Sequence, residues 1–124
     1  MSNIYRNPNN SYSHRTVEIP PNSRVLFISG QTATDENGKT PADPDIQAEI
    51  VYKKILESLE QADMTKDDLV KTNVYITDPK FITSVYKASQ KYNPKSKQAG
   101  TLVYVKALAT PEVLIEIDAI AAKK

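Results

Sequence analysis

The sequence predicts an α+β protein in which two helices cover one face of a mixed β-sheet. Short segments with apolar residues at every second position alternate with two longer segments whose apolar residues recur every three or four positions. Their order along the chain is β-β-α-β-α-β-β, and no linker rich in Pro, Gly or Ser divides it. A chain of 124 residues has the length of one domain. We therefore expect a single domain over residues 1–124, built as one layer of helices on one sheet.

The N-terminal part predicts an irregular arm followed by two strands. Residues 1–14 are rich in Asn and Ser, which favour turns over strands. Residues 16–19 alternate polar and apolar side chains, and residues 24–29 are rich in β-formers with apolar side chains on both faces. A strand that is apolar on both faces needs cover on each. We expect helices of the same subunit to cover one face and a partner subunit to cover the other.

Two amphipathic helices are predicted from apolar stripes with helical spacing. The first follows residues 41–45 and ends at the polar segment 64–68, where Thr65 can cap one short turn. The second begins at Asp78 and Pro79, since a proline in the first turn costs little stability. The predicted buried stripes are Ala48, Val51, Tyr52, Ile55, Leu59 and Ala62 in the first helix, and Phe81, Val85, Ala88 and Tyr92 in the second. Further strands are predicted at residues 69–77, 101–105 and 113–121.

The composition excludes several kinds of site. The chain has no cysteine and its only histidine is His14, which excludes thiolate chemistry and a multi-histidine metal site within one subunit. A Ser/His/Asp triad could use only His14, which lies in the predicted arm. A net charge of +1 argues against nucleic acid as a partner, and three glycines provide no phosphate-binding loop. No apolar run reaches the length of a membrane span, and the polar N-terminus lacks a signal-peptide core, so we expect a cytoplasmic protein.

The last predicted strand carries the side chains that are best suited to catalysis. Its alternation places Glu116 and Asp118 on one sheet face, between the large aliphatic side chains of Leu114 and Ile120. Desolvation in such a setting disfavours the charged carboxylate, which is one way to build a general acid or base. The alternative is a solvated acid pair that balances Lys71 on a neighbouring strand. Spacing alone leaves both interpretations open.

Three segments of the chain form a joint pattern, namely Phe27–Gln31, Leu69–Tyr75 and Ile115–Ala121. In their order and spacing they resemble three signatures of the Rid family (reactive intermediate/imine deaminases, also labelled endoribonuclease L-PSP or translation inhibitors). The resemblance covers about residues 12–122. It implies a chorismate-mutase-like fold and a homotrimer, with sheets facing the three-fold axis and small-molecule clefts between subunits.

The resemblance also implies an activity and a set of site residues. Archetypal members hydrolyse enamines and imines released by pyridoxal-phosphate enzymes to a 2-keto acid and ammonia, without a bound cofactor. Glu116 matches the family's water-positioning glutamate, and Ser29 and Gly30 match its Ser-Gly pair. Tyr12 matches a tyrosine that lines the family's cleft, although its spacing from Ser29 is longer here.

The family's substrate-binding arginine has no counterpart in this chain. Counting back from Glu116 places its position at Gly100, or at Thr101 with a different gap. The cations nearest in sequence are Lys97 and Lys106, and a lysine does not reproduce the bidentate contact of an arginine. An asparagine usual in the second helix is replaced as well, by Tyr86. These departures indicate a divergent branch of the family.

Three functions are compatible with these observations. The first is a hydrolase of enamines or imines with weak activity on amino-acid-derived substrates, because their carboxylate lacks its arginine. The second is a trimer that binds a metabolite as a sensor without catalysis. The third, taken from family labels, is an endoribonuclease or translation inhibitor, which the near-zero net charge disfavours.

Overall fold

The computed structural model describes residues 2–124, and their order of elements is β-β-β-α-β-α-β-β. The strands are β1 (Ile4–Asn10), β2 (Ser13–Glu18), β3 (Arg24–Gln31), β4 (Leu69–Ile76), β5 (Ala99–Tyr104) and β6 (Ile115–Lys123). The helices are α1 (Pro44–Gln61) and α2 (Ile82–Tyr92), with single 3-10 turns at Lys66–Asp68 and Pro79–Phe81.

The main sheet has the strand order β3-β6-β4-β5. Strand β6 is antiparallel to both of its neighbours, whereas β4 and β5 are parallel, so the sheet is mixed. Both helices pack on one face, where side chains of α1 meet the inner side chains of β6. The predicted α+β class, with two helices on one face of a mixed sheet, is confirmed.

The expectation of an irregular arm over residues 1–14 was wrong for most of that segment. Strands β1 and β2 form an antiparallel hairpin in which Ile4 is opposite Glu18. The Asn-rich sequence has low strand propensity, but tertiary contacts hold the hairpin in place. The Tyr5 hydroxyl donates to the Leu69 carbonyl at 3.3 Å, and the His14 backbone N–H donates to the Gln98 carbonyl at 3.2 Å. The prediction for Met1 lies outside the described residues.

The core lies between α1, α2 and the inner face of the sheet. The fully buried side chains Val51 and Leu59 of α1 pack with Ile115 and Ile117 of β6. The predicted Thr65 cap is present, because the Thr65 hydroxyl accepts from the Asp67 backbone N–H at 3.2 Å. A hydrophobic core of this kind fixes the register of β6, since a slip by one residue would turn every buried side chain outward.

The outer face of the sheet leaves large apolar side chains in solvent. Phe27 and Val25 of β3 are 75% and 45% exposed, whereas Ile28 on the inner face is 6% exposed. The prediction that β3 is apolar on both faces is therefore confirmed. Within one copy of the chain, no helix or strand of the described residues packs over the outer face of β3.

Candidate functional site

The two carboxylates predicted on β6 lie side by side on the outer sheet face. Asp118 accepts a hydrogen bond from the Asn73 side-chain amide at 2.8 Å and another from the Tyr75 hydroxyl at 3.0 Å. The bond to Asp118 raises the pKa of Tyr75, because the phenol donates to a negative charge. Asp118 is thus held in place by two neighbours on β4. It has a structural partner for each carboxylate oxygen.

Glu116 has no such partners in residues 2–124: its carboxylate makes no hydrogen bond or ion pair there. It lies directly over the backbone of Gly30. A Cβ atom built on residue 30 would overlap a carboxylate oxygen of Glu116 and lie 2.9 Å from its Cδ. Glycine at this position therefore gives Glu116 its space, and the structure brings these two predicted residues together.

A β-bulge creates this close approach. Ser29 and Gly30 stand between the Ile28–Ala119 and Gln31–Ile117 pairs, so two residues of β3 oppose one residue of β6. The extra residue shifts β3 so that its backbone passes beneath the Glu116 side chain. Ser29 is exposed next to Gly30, and its carbonyl accepts from the Gln31 side chain at 3.1 Å. The bulge thus places Ser29 and Gly30 beside the carboxylate.

Lys71 does not pair with either carboxylate. Its ammonium group donates to the Thr101 hydroxyl at 3.0 Å, and the salt bridges of the described residues do not include it. The alternative of an acid pair balanced by Lys71 therefore does not match the geometry of a single chain. Glu116 is the carboxylate on this face that remains available to bind water or a ligand.

A second group of predicted residues lines a cavity of about 320 Å³ on the other side of the sheet. It lies between α2, β5 and the turn that joins β1 to β2. Tyr12, Gly100 and Thr101 line it. The Tyr12 and Tyr86 rings meet edge to face, with centroids 5.1 Å apart and planes at 84°. The remaining lining residues are Asn10, Ser13, Tyr52, Thr72, Val74, Ile82, Val85, Ser89, Ser96, Gln98 and Leu102.

The two positions considered for the missing arginine face different sides of the sheet. Gly100 is paired with Thr72, which lines the cavity on the helical face. The Thr101 side chain instead reaches the outer face, where it accepts from Lys71. The predicted site residues therefore form two groups within one chain: Glu116, Ser29 and Gly30 are on one side, and Tyr12 and Gly100 are on the other. They do not form a single pocket in one copy of the chain.

Neither of the two candidate lysines lines this cavity. The Lys97 ammonium lies 4.7 Å from the centroid of the Tyr5 ring, which is cation–π geometry. Lys106 lines a separate surface depression with Asp78 and Lys80. His14, which is the one histidine that a Ser/His/Asp triad could use, has its Nδ1 2.8 Å from the Lys97 carbonyl oxygen.

One residue near the site was missed by sequence reasoning. The Lys54 ammonium of α1 donates to the Thr32 and Thr34 carbonyls at 2.6 and 2.8 Å, which holds the loop that follows Gly30. A lysine in the polar part of an amphipathic helix has no sequence signal for such a contact. In contrast, Tyr52 was predicted as a core residue, and it contributes its ring to the cavity wall.

The described residues contain no group of three or more His, Cys, Asp or Glu side chains arranged to hold a metal ion. No helix in residues 2–124 combines the length and apolar character needed to cross a membrane.

The fold and the pairing of Glu116 with a Ser-Gly bulge define a chorismate-mutase-like α+β protein of the Rid type. The chain belongs to the endoribonuclease L-PSP family, whose model matches residues 4–123. It is 35% identical over 101 residues to a RutC family protein of Pyrococcus horikoshii, covering 80% of this chain and 79% of the relative. The resemblance to the Rid family is thereby confirmed.

Solved structures agree with this assignment. A Rid family protein of Yersinia pestis superimposes with a TM-score of 0.82 at 29% identity, over 99% of this chain and 100% of that chain. The TdcF protein of E. coli, solved with bound serine, superimposes with a TM-score of 0.70 at 28% identity, over 86% of this chain and 85% of that chain.

Proposed function

We propose that this protein is a Rid-type hydrolase of small enamines or imines, with a carbonyl compound and ammonia as products and no cofactor. The observation that carries the proposal is the Glu116 carboxylate, which lies over Gly30 without a hydrogen-bonding partner in the described chain. A carboxylate in this state can orient a water molecule toward an imine carbon and accept its proton. The small ligand reported with the TdcF relative supports a small-molecule site in the family.

The separation of the predicted residues supports an assembly. Because Glu116 and Gly100 lie on opposite sheet faces, one cleft that contains both requires two copies of the chain. The exposed Phe27 and Val25 provide an apolar surface for such contact. We therefore propose an assembly of several copies, a homotrimer as the family resemblance implies, in which Tyr12 and Gly100 of one copy face Ser29, Gly30 and Glu116 of a neighbour.

The described residues that line the cavity include no cation, which limits the substrates that it can bind. Hydrogen bonds to charged groups are worth roughly 1.5–3 kcal/mol each, so loss of a bidentate arginine contact weakens binding of a substrate carboxylate about a hundredfold or more. Weak activity on imines derived from amino acids follows. Imines without a carboxylate lose nothing from this change.

Two generated imines test the proposal. An amine oxidase converts benzylamine to its imine, which water hydrolyses to benzaldehyde and ammonia, and an amino-acid oxidase generates 2-iminopropionate from alanine. Semicarbazide competes for each imine, and its adduct is followed by absorbance. We expect the benzylamine imine to be lost faster with the wild-type protein than without protein. The rate of 2-iminopropionate loss should rise much less with this protein than with an arginine-bearing relative.

Matched variants assign the activity to the site. Glu116→Gln should lower the rate by about a hundredfold, whereas Glu112→Gln, on the exposed loop before β6, should retain it. Gly100→Arg places a cation at a position that faces the cavity and should raise activity on 2-iminopropionate. If the wild-type protein accelerates the loss of neither imine, the hydrolase proposal is wrong.

A metabolite sensor is the second candidate, and the cavity itself favours it. Its volume of about 320 Å³ lies within the usual range for small-molecule pockets, roughly 300–1,000 Å³. A sensor would bind a ligand tightly and show no turnover in the imine assays. The family description also suggests an endoribonuclease, which is tested by incubating the protein with RNA. We expect no degradation of the RNA.

A further inference from the structure

The lining of the cavity between α2 and β5 carries no formal charge in the described residues. Its polar groups are hydroxyls and amides, such as those of Thr72, Ser89 and Gln98. Two tyrosines of the lining, Tyr52 and Tyr86, are also held in the neutral form. Burial raises the pKa of Tyr52, and a hydrogen bond with Tyr12 together with burial raises the pKa of Tyr86. The cavity thus offers hydrogen bonds without a counter-charge for an ion.

This electrostatic character discriminates between ligands. Moving an ionised carboxylate out of water and against tyrosine rings and aliphatic side chains is unfavourable unless a cation pairs with it. An amide or carbonyl group of the same shape loses much less on leaving water, because hydroxyls and side-chain amides can satisfy it. The cavity should therefore prefer an uncharged polar group over a carboxylate.

The walls indicate the shape of the ligand. The Tyr12 and Tyr86 rings form one side, and Val74, Val85 and Leu102 supply apolar surface on the others. Flat rings favour stacked or edge-to-face contact with another planar group. An apolar cavity of about 150 Å³ is large enough for benzene, so 320 Å³ accommodates a ring with a polar substituent.

Gly100 leaves open space on the strand side of the cavity. A Cβ atom there would meet its nearest neighbour, the Thr72 hydroxyl, at 3.5 Å, which is ordinary van der Waals contact. A larger side chain at this position therefore enters the cavity without an initial clash. This provides a way to fill the site from the edge strand.

We propose that this cavity binds an uncharged, planar ligand, such as an aromatic amide, imine or aldehyde, and discriminates against its carboxylate analogue. This inference rests on the proposed function, because it takes the cavity to be part of the substrate cleft. It adds the chemical class of the ligand. Binding is measurable apart from turnover, so the two proposals can fail separately.

Benzamide and benzoate are the probes, because they share a ring and differ in charge. Calorimetry on the full chain at pH 7 should show benzamide binding at least about tenfold more tightly than benzoate. Gly100→Leu should abolish benzamide binding, and Tyr86→Ala should weaken it by removing an aromatic wall. Thr110→Leu adds similar bulk beside the separate surface depression and should leave binding unchanged. Thermal melting of each variant confirms that it is folded.

Several outcomes would overturn the inference. The inference requires benzoate to bind more weakly than benzamide, so equal or tighter binding of benzoate contradicts it. Absence of binding by both probes at millimolar concentration, or benzamide binding unaffected by both Gly100→Leu and Tyr86→Ala, contradicts it as well. Benzamide binding with no imine turnover supports this inference and refutes only the hydrolase, while turnover without preference for the neutral probe refutes only this inference.

Discussion

Replacing Gly30 by alanine tests the contact that defines the candidate catalytic group. The new Cβ would overlap the Glu116 carboxylate and approach its Cγ to 3.2 Å, so the whole end of that side chain must move. The obstacle is a flexible side chain on the outer face rather than backbone. We therefore expect a stability change of about 1 kcal/mol or less, together with a displaced carboxylate.

The expected loss of activity is much larger than the loss of stability. A displacement of about 1 Å in a reacting group can lower a rate roughly a hundredfold. Gly30→Ala should therefore reduce hydrolysis of the benzylamine imine nearly as far as Glu116→Gln does. Urea unfolding of the same samples separates this effect from a loss of folded protein.

A double-mutant cycle makes the reasoning specific to this contact. In the Glu116→Ala background the carboxylate is gone, so Gly30→Ala should cost less stability there than in the wild-type chain. Equal costs in both backgrounds would show that residue 30 does not press on Glu116. Full imine activity in Gly30→Ala would refute the claim that the position of Glu116 over the bulge is needed.

Three further predictions concern the fold and its assembly. Gln47 is fully buried and bonds to the Pro41 and Glu112 carbonyls and the Leu114 backbone N–H, so Gln47→Leu should lower the unfolding free energy by about 3 kcal/mol in urea titrations. Phe27→Asp should yield monomers in sedimentation experiments, because a charge replaces the exposed apolar ring, and a persistent trimer would refute the proposed interface. Hydrogen bonds from Lys91 and Tyr92 lower the pKa of Glu49, so its contribution to stability is present above the unfolded-state pKa and lost as pH falls through the lower folded-state pKa. Glu49→Gln should therefore lose less stability than the wild-type chain as pH falls below about 4.3.

The sequence predicted the elements whose side chains face a core. The alternation along β6 and the stripes of α1 and α2 are strong signals, because burial of apolar side chains dominates their stability. Strand β1 was missed for the opposite reason. Its sequence is polar, Asn7 has a positive φ of 57°, and it is held by contacts such as that between Tyr5 and Leu69. Such contacts depend on residues distant in sequence and leave no local pattern.

The candidate site was predictable in its members but not in its arrangement. The resemblance identified Glu116 and Gly30, whose contact depends on a bulge between strands that are far apart in the chain. It could not decide between Gly100 and Thr101, because a difference of one residue in the gap reverses the sheet face. The structure places Gly100 toward the cavity and the Thr101 hydroxyl toward Lys71.

The outer sheet face has an apolar half, which can be buried between copies, and a polar half, which has to stay accessible. Phe27 is paired with Ile120 in an apolar half, whereas Glu116 lies beyond the bulge in a polar half. Contact between copies favours burial of the first half, but a water-positioning carboxylate has to stay accessible to solvent or substrate. The bulge at Ser29 and Gly30 marks the boundary, because it interrupts the regular pairing of β3 with β6, which resumes at Gln31, and the glycine leaves space above the backbone. The same irregularity can therefore limit the interface and create the site, which ties the proposed activity to the proposed assembly.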